Sequence, residues 1–189
     1  MNRKTLYLVH AAVIAALYVV LTLLANALGL ANYAIQVRFS EALTILPFFT
    51  PAAIPGLFVG CILSNLLTGC MPLDVVFGSL ATLAGALGTY FLSSPLRRTL
   101  VPQNQNKPSG NAARRQWLAP LPPIVANTLV VPFVLAYVYR FEGSIPYFML
   151  TVGAGELISC GILGMLLLKV LEKYKKHIFP SENMSAGGK

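Results

Sequence analysis

Apolar residues in this chain come in long blocks separated by short polar or proline-rich interruptions, and the blocks match membrane crossings in length. Thr5 to Leu30 is one, with His10 and Asn26 as its strongly polar members. Leu43 to Thr68 is apolar but carries Pro47, Pro51 and Pro55; its 26 residues are too few for two full crossings, and counting back to Arg38 makes 31. Two short or tilted helices breaking around Pro51 to Pro55 are expected there. Leu73 to Ser94, Trp117 to Tyr139 and Ile145 to Leu171 complete six spans. The pattern predicts an all-α integral membrane protein, a bundle of six transmembrane helices forming one domain over residues 1–179. Residues 95–116, with the run Gln103 to Asn111, are polar and turn-rich, and predict a mobile cytoplasmic loop. Residues 180–189 predict a disordered cytoplasmic tail.

Composition agrees with the pattern. Charged residues are 11% against about 25% in soluble domains, while 56% are hydrophobic and mean hydropathy is +0.70. Six spans put both termini on one side. Arg3 and Lys4, then Arg97, Arg98, Lys107, Arg114 and Arg115, then Lys169, Lys173, Lys175, Lys176 and Lys189 all fall there, which is 12 of the 14 basic residues. Only Arg38 and Arg140 lie opposite, so the positive-inside rule places both termini in the cytoplasm. The net charge of +8 is then topology and contact with anionic lipid, not nucleic-acid binding. Ala25-Asn26-Ala27 resembles a signal-peptide cleavage site, but the apolar run before it is about twice the usual length, so the first span is kept.

Catalytic and cofactor motifs are missing from this pattern. Cys61, Cys70 and Cys160 lack paired metal-ligand spacing and are expected as free thiols that pack as small hydrophobes. His10 and His177 have no ligand-spaced neighbours. Gly153-Ala154-Gly155 follows no strand and leads to Ile158, and no Walker A motif occurs. No metal, cofactor or catalytic residue is expected, and the chain is expected to be non-catalytic.

A few polar groups remain. Arg38 and Glu41 fall at the outer end of the second span, Asn65 one turn below the outer end of the third, and Asp74 at the start of the fourth. Arg140 and Glu142 lie in an outer loop where Tyr137, Tyr139 and Tyr147 form an aromatic belt. Asn127 lies deeper, and Glu156 is about 12 residues, roughly 18 Å, into the sixth span. All acidic residues except Glu172 and Glu182 are thus in the outer half, the pattern of a pocket open to the outside. Each has a structural alternative: Arg38 and Glu41, three apart, can pair; Asp74 after Pro72 can start a helix; Asn65 and Asn127 can bond between helices. Glu156 resists such a reading, because an unmatched carboxylate at that depth costs several kcal/mol.

Small residues suggest close helix contacts. Ala11, Ala12, Ala15 and Ala16 form two overlapping small-xxx-small pairs on the first span, Gly56, Gly60 and Ser64 line the third, and Ala81 with Gly85 or Ala84 with Gly88 line the fourth. These stripes serve either internal packing or a partner subunit.

The alanine-rich first span, the run Ile35 to Leu43 (Ile-Gln-Val-Arg-Phe-Ser-Glu-Ala-Leu), the stretch Phe58 to Leu66 and the stretch Pro72 to Leu83 together resemble the QueT family, substrate-binding S components of energy-coupling factor (ECF) transporters. The resemblance covers nearly the whole chain apart from 101–116 and the tail. It implies a subunit that captures a trace nutrient outside the cell membrane, then docks on a transmembrane scaffold driven by two cytoplasmic ATPases and topples to release its cargo. An Ala-x-x-x-Ala motif docks on the scaffold in that family, and Ala11/Ala15 or Ala12/Ala16 match it. The implied cargo is a queuosine precursor, a 7-deazaguanine or queuine.

Such a nucleobase presents N1–H and an amine as adjacent donors to one carboxylate, and its O6 to an arginine or amide. The expected substrate-binding residues are Arg38, Glu41, Asn65, Asp74, Asn127 and Glu156, with Glu156 or Asp74 favoured for the base edge and Phe39 or Tyr147 for stacking. Two rivals stay open: an S component for another small aromatic vitamin, and a membrane-embedded hydrolase or channel using Glu156 in proton transfer.

Overall fold

The computed structural model describes residues 2–30, 37–99 and 116–178, and every regular element among them is helical. Six helices result. α1 is Arg3–Ala27, α2 is a 3-10 helix over Phe39–Phe48, α3 is Ala53–Leu67 and α4 is Pro72–Thr99. α5 is Leu121–Phe133 with a π-helical continuation over Val134–Val138. α6 runs through Ile145–Glu156, a π-helical stretch over Leu157–Leu163, and Gly164–Ile178. Four stretches are long and apolar enough to cross a membrane, namely Lys4–Ala27, Pro72–Ser93, Gln116–Val138 and Ile145–Tyr174. α4 extends past the start of the expected loop at 95–116; the rest of that loop up to residue 115, and the expected tail at 180–189, lie outside the described residues.

The chain does break between Phe48 and Ala53, as the prolines require, but neither flanking helix is a full crossing. α2 is apolar on nearly all sides and is buried from Ser40 to Phe48, the signature of a helix wrapped by others. α1, α3, α4 and α6 all touch it. One end of the bundle is sealed by Ile45 and Phe48 of α2, and Phe49 just after it, against Ala119, Met165 and Leu168. Leu43 and Leu46 pack on Ile14, Tyr18, Leu57 and Ala86. Outward-facing Leu8, Val13, Leu17, Val20 and Leu24 on α1 are exposed, as lipid-facing residues must be.

The small-residue stripes are largely internal. A Cβ at Gly56 would meet the Ala11 carbonyl oxygen at 2.7 Å, and one at Gly60 would meet Tyr18 Cβ at 2.8 Å and Ala15 Cα at 3.1 Å. Ala11 and Ala15 therefore pack against α3, Ala15 buried and Ala11 half-buried, whereas Ala12 and Ala16 are exposed. On α4, Gly85 and Gly88 admit Pro123 and Pro122 of α5. Gly60→Leu should push α1 off α3 and cost about 1–3 kcal/mol, the usual range for overpacking a tight contact. A clear drop in thermal melting of the detergent-solubilised protein checks this; an unchanged melt contradicts it.

Candidate functional site

Two helix ends shape one end of the bundle. α3 stops in a left-handed Gly69 (φ 74°), with Cys70 N–H donating to the Asn65 carbonyl at 2.9 Å and Gly69 N–H to Leu66 at 3.2 Å. α1 stops in the same way, with Gly29 at φ 73° and Leu30 N–H donating to Ala25 at 3.0 Å. These reversals leave Ala25, Asn26, Asn65, Thr68 and Cys70 around a cavity of about 720 Å³, closed on its other sides by Arg38, Asp74, Val131, Leu135, Tyr139 and Phe148. That volume lies in the range of small-molecule sites.

Asp74 occupies the first turn of α4, behind Pro72 in the position where proline is tolerated, and the helix N-terminus favours its charge. It is 5% exposed. Tyr139 at the end of α5 donates its hydroxyl to Asp74 Oδ2 at 2.8 Å and accepts from Met71 N–H at 3.2 Å, tying two helices together at the wall. Partial burial, with the neighbouring Asp74 carboxylate, raises the Tyr139 phenol above its ordinary range, so it stays a donor. Gly78 leaves room for Asn65 Nδ2 and Asp74 Oδ1, each 3.4 Å from where its Cβ would be.

Arg38 and Val131 also line a second, much smaller chamber of about 10 Å³, enclosed by Glu41, Gly78, Thr82, Asn127, Val152 and Glu156. There one amide joins two carboxylates: Asn127 Nδ2 donates to Glu156 Oε1 at 2.9 Å and to Glu41 Oε2 at 3.3 Å. Tyr18 donates its hydroxyl to Glu41 Oε1, and Cys160 donates its thiol to Glu156 Oε2 at 3.1 Å. Thr22 donates to Ser40 Oγ at 2.8 Å, and Arg38 N–H donates to Ser159 Oγ at 3.2 Å, fixing the start of α2 between α1 and α6.

The six residues expected from sequence thus divide. Asn65 and Asp74 line the large cavity, Glu41, Asn127 and Glu156 the small one, and Arg38 borders both. One depth needs correcting. Glu41 is not at an outer rim above Glu156 but level with it, 1% exposed and bonded to Tyr18, which lies nine residues, roughly 14 Å by helical rise, before the end of α1. The hydrogen bonds to the Glu41 carboxylate come from Tyr18 and Asn127, and the Arg38 guanidinium acts on it through its charge. Stacking on Phe39 gains no support, since Phe39 lines neither chamber, whereas Tyr147 lines the large one.

Tyr18, Tyr139 and Cys160 were missed from sequence. Cys160 lies four residues after Glu156, on the same helical face, which was a readable signal. Tyr18 sits seven residues after Ala11 and shares the face turned to α3. Donor atoms of Glu41, Glu156 and Cys160 lie within 4.8 Å of one another, compact enough for a cation, but each already has a hydrogen-bond partner.

Comparison with known proteins agrees with this architecture. The family model described as QueT transporter matches residues 8–173. A protein of Lactococcus lactis subsp. cremoris (strain MG1363), named queuosine precursor transporter QueT, is 39% identical over 80 residues, 42% of this chain and 47% of that protein. The matched region thus spans about half the length of that relative. No solved structure matches. With residues 8–173 of its 189 covered by the family model, this membrane-spanning helical chain belongs to the QueT transporter family.

Proposed function

We propose that this chain is the substrate-capture subunit of an ECF-type importer in the prokaryotic cell membrane, and that it takes up a queuosine precursor of the 7-deazaguanine class. The observation that carries the reading is the cavity of about 720 Å³ at one end of the bundle, walled by Asp74, Asn65, Arg38 and the rings of Tyr139, Tyr147 and Phe148. Acceptors, donors and aromatic faces around a chamber of that size are what a planar base requires. The name of the Lactococcus relative supports the cargo.

In this reading the cavity opens to the outside and both termini lie in the cytoplasm, as the distribution of basic residues favours. ATP hydrolysis belongs to two partner ATPases, and the chain itself carries no chemistry. The transmembrane scaffold docks on the exposed Ala12/Ala16 stripe of α1, since Ala11 and Ala15 are occupied by α3. Residues 1–179 act as a single substrate-binding domain.

Cys70 provides the test. It lines the cavity and is half-buried, while Cys61 and Cys160 are buried. A 7-deazaguanine added to the purified protein should slow maleimide modification of Cys70, with a saturable binding isotherm by calorimetry. No protection and no binding would remove the cargo assignment, and mass spectrometry of co-purified ligand would then identify another small aromatic nutrient.

A further inference from the structure

The end of the bundle away from the large cavity is plugged by apolar residues, with Ala119 against Met165 and Leu168. The residues beside that plug turn outward. Trp117, in the helical entry to α5, is 66% exposed, and Lys169 and Lys173 are exposed one turn apart on α6. The Lys169 ammonium lies over the Trp117 ring, 5.6 Å from its centroid, and the Lys173 ammonium lies 5.6 Å from that of Tyr174. Glu172, the one carboxylate in Gly164–Ile178, accepts from Gln116 Nε2 at 2.7 Å. Among the described residues the two ammoniums therefore touch rings, not carboxylates, and a ring leaves N–H donors of each to spare. The helix dipole does not account for them, since they stand nine and five residues before Ile178 and that field is confined to the last turn.

Depth puts the group at a membrane surface. The apolar stretch Ile145–Tyr174 has 30 residues, roughly 45 Å by helical rise, against about 30 Å of hydrocarbon. With Ile145 at one surface, Lys169 and Lys173 come out among the headgroups of the other. The 23 residues of Gln116–Val138, roughly 35 Å, bring Trp117 to the same level from a second helix. Deeper on the same two helices, Leu121, Leu166 and Val170 are exposed.

We propose that the start of α5 and the end of α6 form a binding site for one anionic phospholipid. Its phosphate is held between Lys169 and Lys173, the Trp117 ring lies beside the headgroup, and the acyl chains run over Leu121, Leu166 and Val170. Side chains one helical turn apart start about 6 Å from each other, so both ammoniums reach a single phosphate. A tryptophan at headgroup level offers the phosphate region its indole N–H and the chains its apolar face. A zwitterionic lipid is disfavoured because it brings a cation of its own to a place that already holds two. The site is remote from both chambers and stands whatever the cargo is.

Native mass spectrometry of the full-length purified protein, titrated with phosphatidylglycerol or phosphatidylcholine of the same acyl chains, tests this. The wild type should retain one phosphatidylglycerol at least about tenfold more tightly than phosphatidylcholine, on the scale of roughly fivefold for each lysine at an anionic headgroup. Lys169→Gln with Lys173→Gln should bring the two lipids within about twofold of each other. Trp117→Leu should weaken phosphatidylglycerol about threefold with no change of charge. Lys4→Gln with Arg140→Gln removes two charges from elsewhere on the exposed surface and should leave the preference intact. Melting in phosphatidylcholine nanodiscs shows that each variant folds; should the first double variant fail to fold, Lys169→Gln alone should cut the preference about fivefold. Equal affinity for the two lipids in the wild type, equal losses in the two double variants, or a Trp117→Leu protein with the full preference overturns the site in favour of diffuse attraction. Inorganic phosphate should not compete; displacement of the lipid by phosphate alone would make this a free-anion site and overturn the lipid assignment.

Discussion

Replacing Asn127 with leucine is expected to lower the melting temperature of the detergent-purified protein by roughly 10 °C, the largest stability loss of any single substitution in the site. The side-chain amide is 4% exposed and donates to two carboxylates from different helices, Glu41 of α2 and Glu156 of α6. Leucine has a similar volume, so the loss is not one of packing. It leaves two buried carboxyl oxygens without their donor, at about 1–3 kcal/mol for each unsatisfied group. It also removes the dipole that stands between two like groups. A second change gives the argument its internal check: adding Glu156→Gln to Asn127→Leu should restore part of the loss, a non-additivity expected only for groups acting as a unit. A single variant that melts within a degree or two of wild type would show that Tyr18 and Cys160 hold the carboxylates without the amide.

The largest effect on binding is expected from Asp74→Asn, a loss of about 100-fold in affinity for a 7-deazaguanine with little change in melting temperature. Asparagine keeps the shape of the side chain and the oxygen that Tyr139 bonds at 2.8 Å. It replaces the second oxygen with an NH₂ group that points donors at the donors of the base edge. At about 1.5–3 kcal/mol for each charge-assisted hydrogen bond lost or reversed, 100-fold, about 2.7 kcal/mol, corresponds to one such bond and is the smallest loss expected. Tyr139→Phe should cost less, since it frees the carboxylate without removing it. Glu172→Gln should change nothing in binding, because Glu172 accepts from Gln116 Nε2 at 2.7 Å and lines neither chamber. An Asp74→Asn protein with wild-type affinity would move the base edge elsewhere in the cavity.

The six apolar blocks, and the polar groups that interrupt them, were legible because lipid punishes unsatisfied polarity and leaves a simple pattern. Asp74 and Asn65 could be placed near one end of the bundle from span boundaries alone, and both line the large cavity. Glu41 could not. Counting from Arg38 treats the second segment as a crossing that starts at a surface, whereas Phe39–Phe48 is a ten-residue 3-10 helix. Where it starts depends on what its flanks reach, and Thr22, Tyr18 and Ser159 hold that start inside the bundle. Tyr18 was hidden for a related reason: in an apolar run one hydroxyl carries no periodicity of its own. Which alanine stripe packs inside the bundle was ambiguous because Ala11/Ala15 and Ala12/Ala16 share a spacing and differ by one position. Only the glycines opposite, Gly56 and Gly60, decide which pair is covered.

The wide turn at Leu157–Leu163 separates two faces of α6. Glu156, just before it, looks into the small chamber, and Met165 and Leu168, just after it, plug the opposite end of the bundle. In an uninterrupted α-helix each residue advances about 100° around the axis, so the facing of one half dictates that of the other. A π-helical stretch shifts that phase. It works like a slipped gear: the face that α6 turns to the small chamber before the stretch does not dictate the face that it packs into the bundle after it.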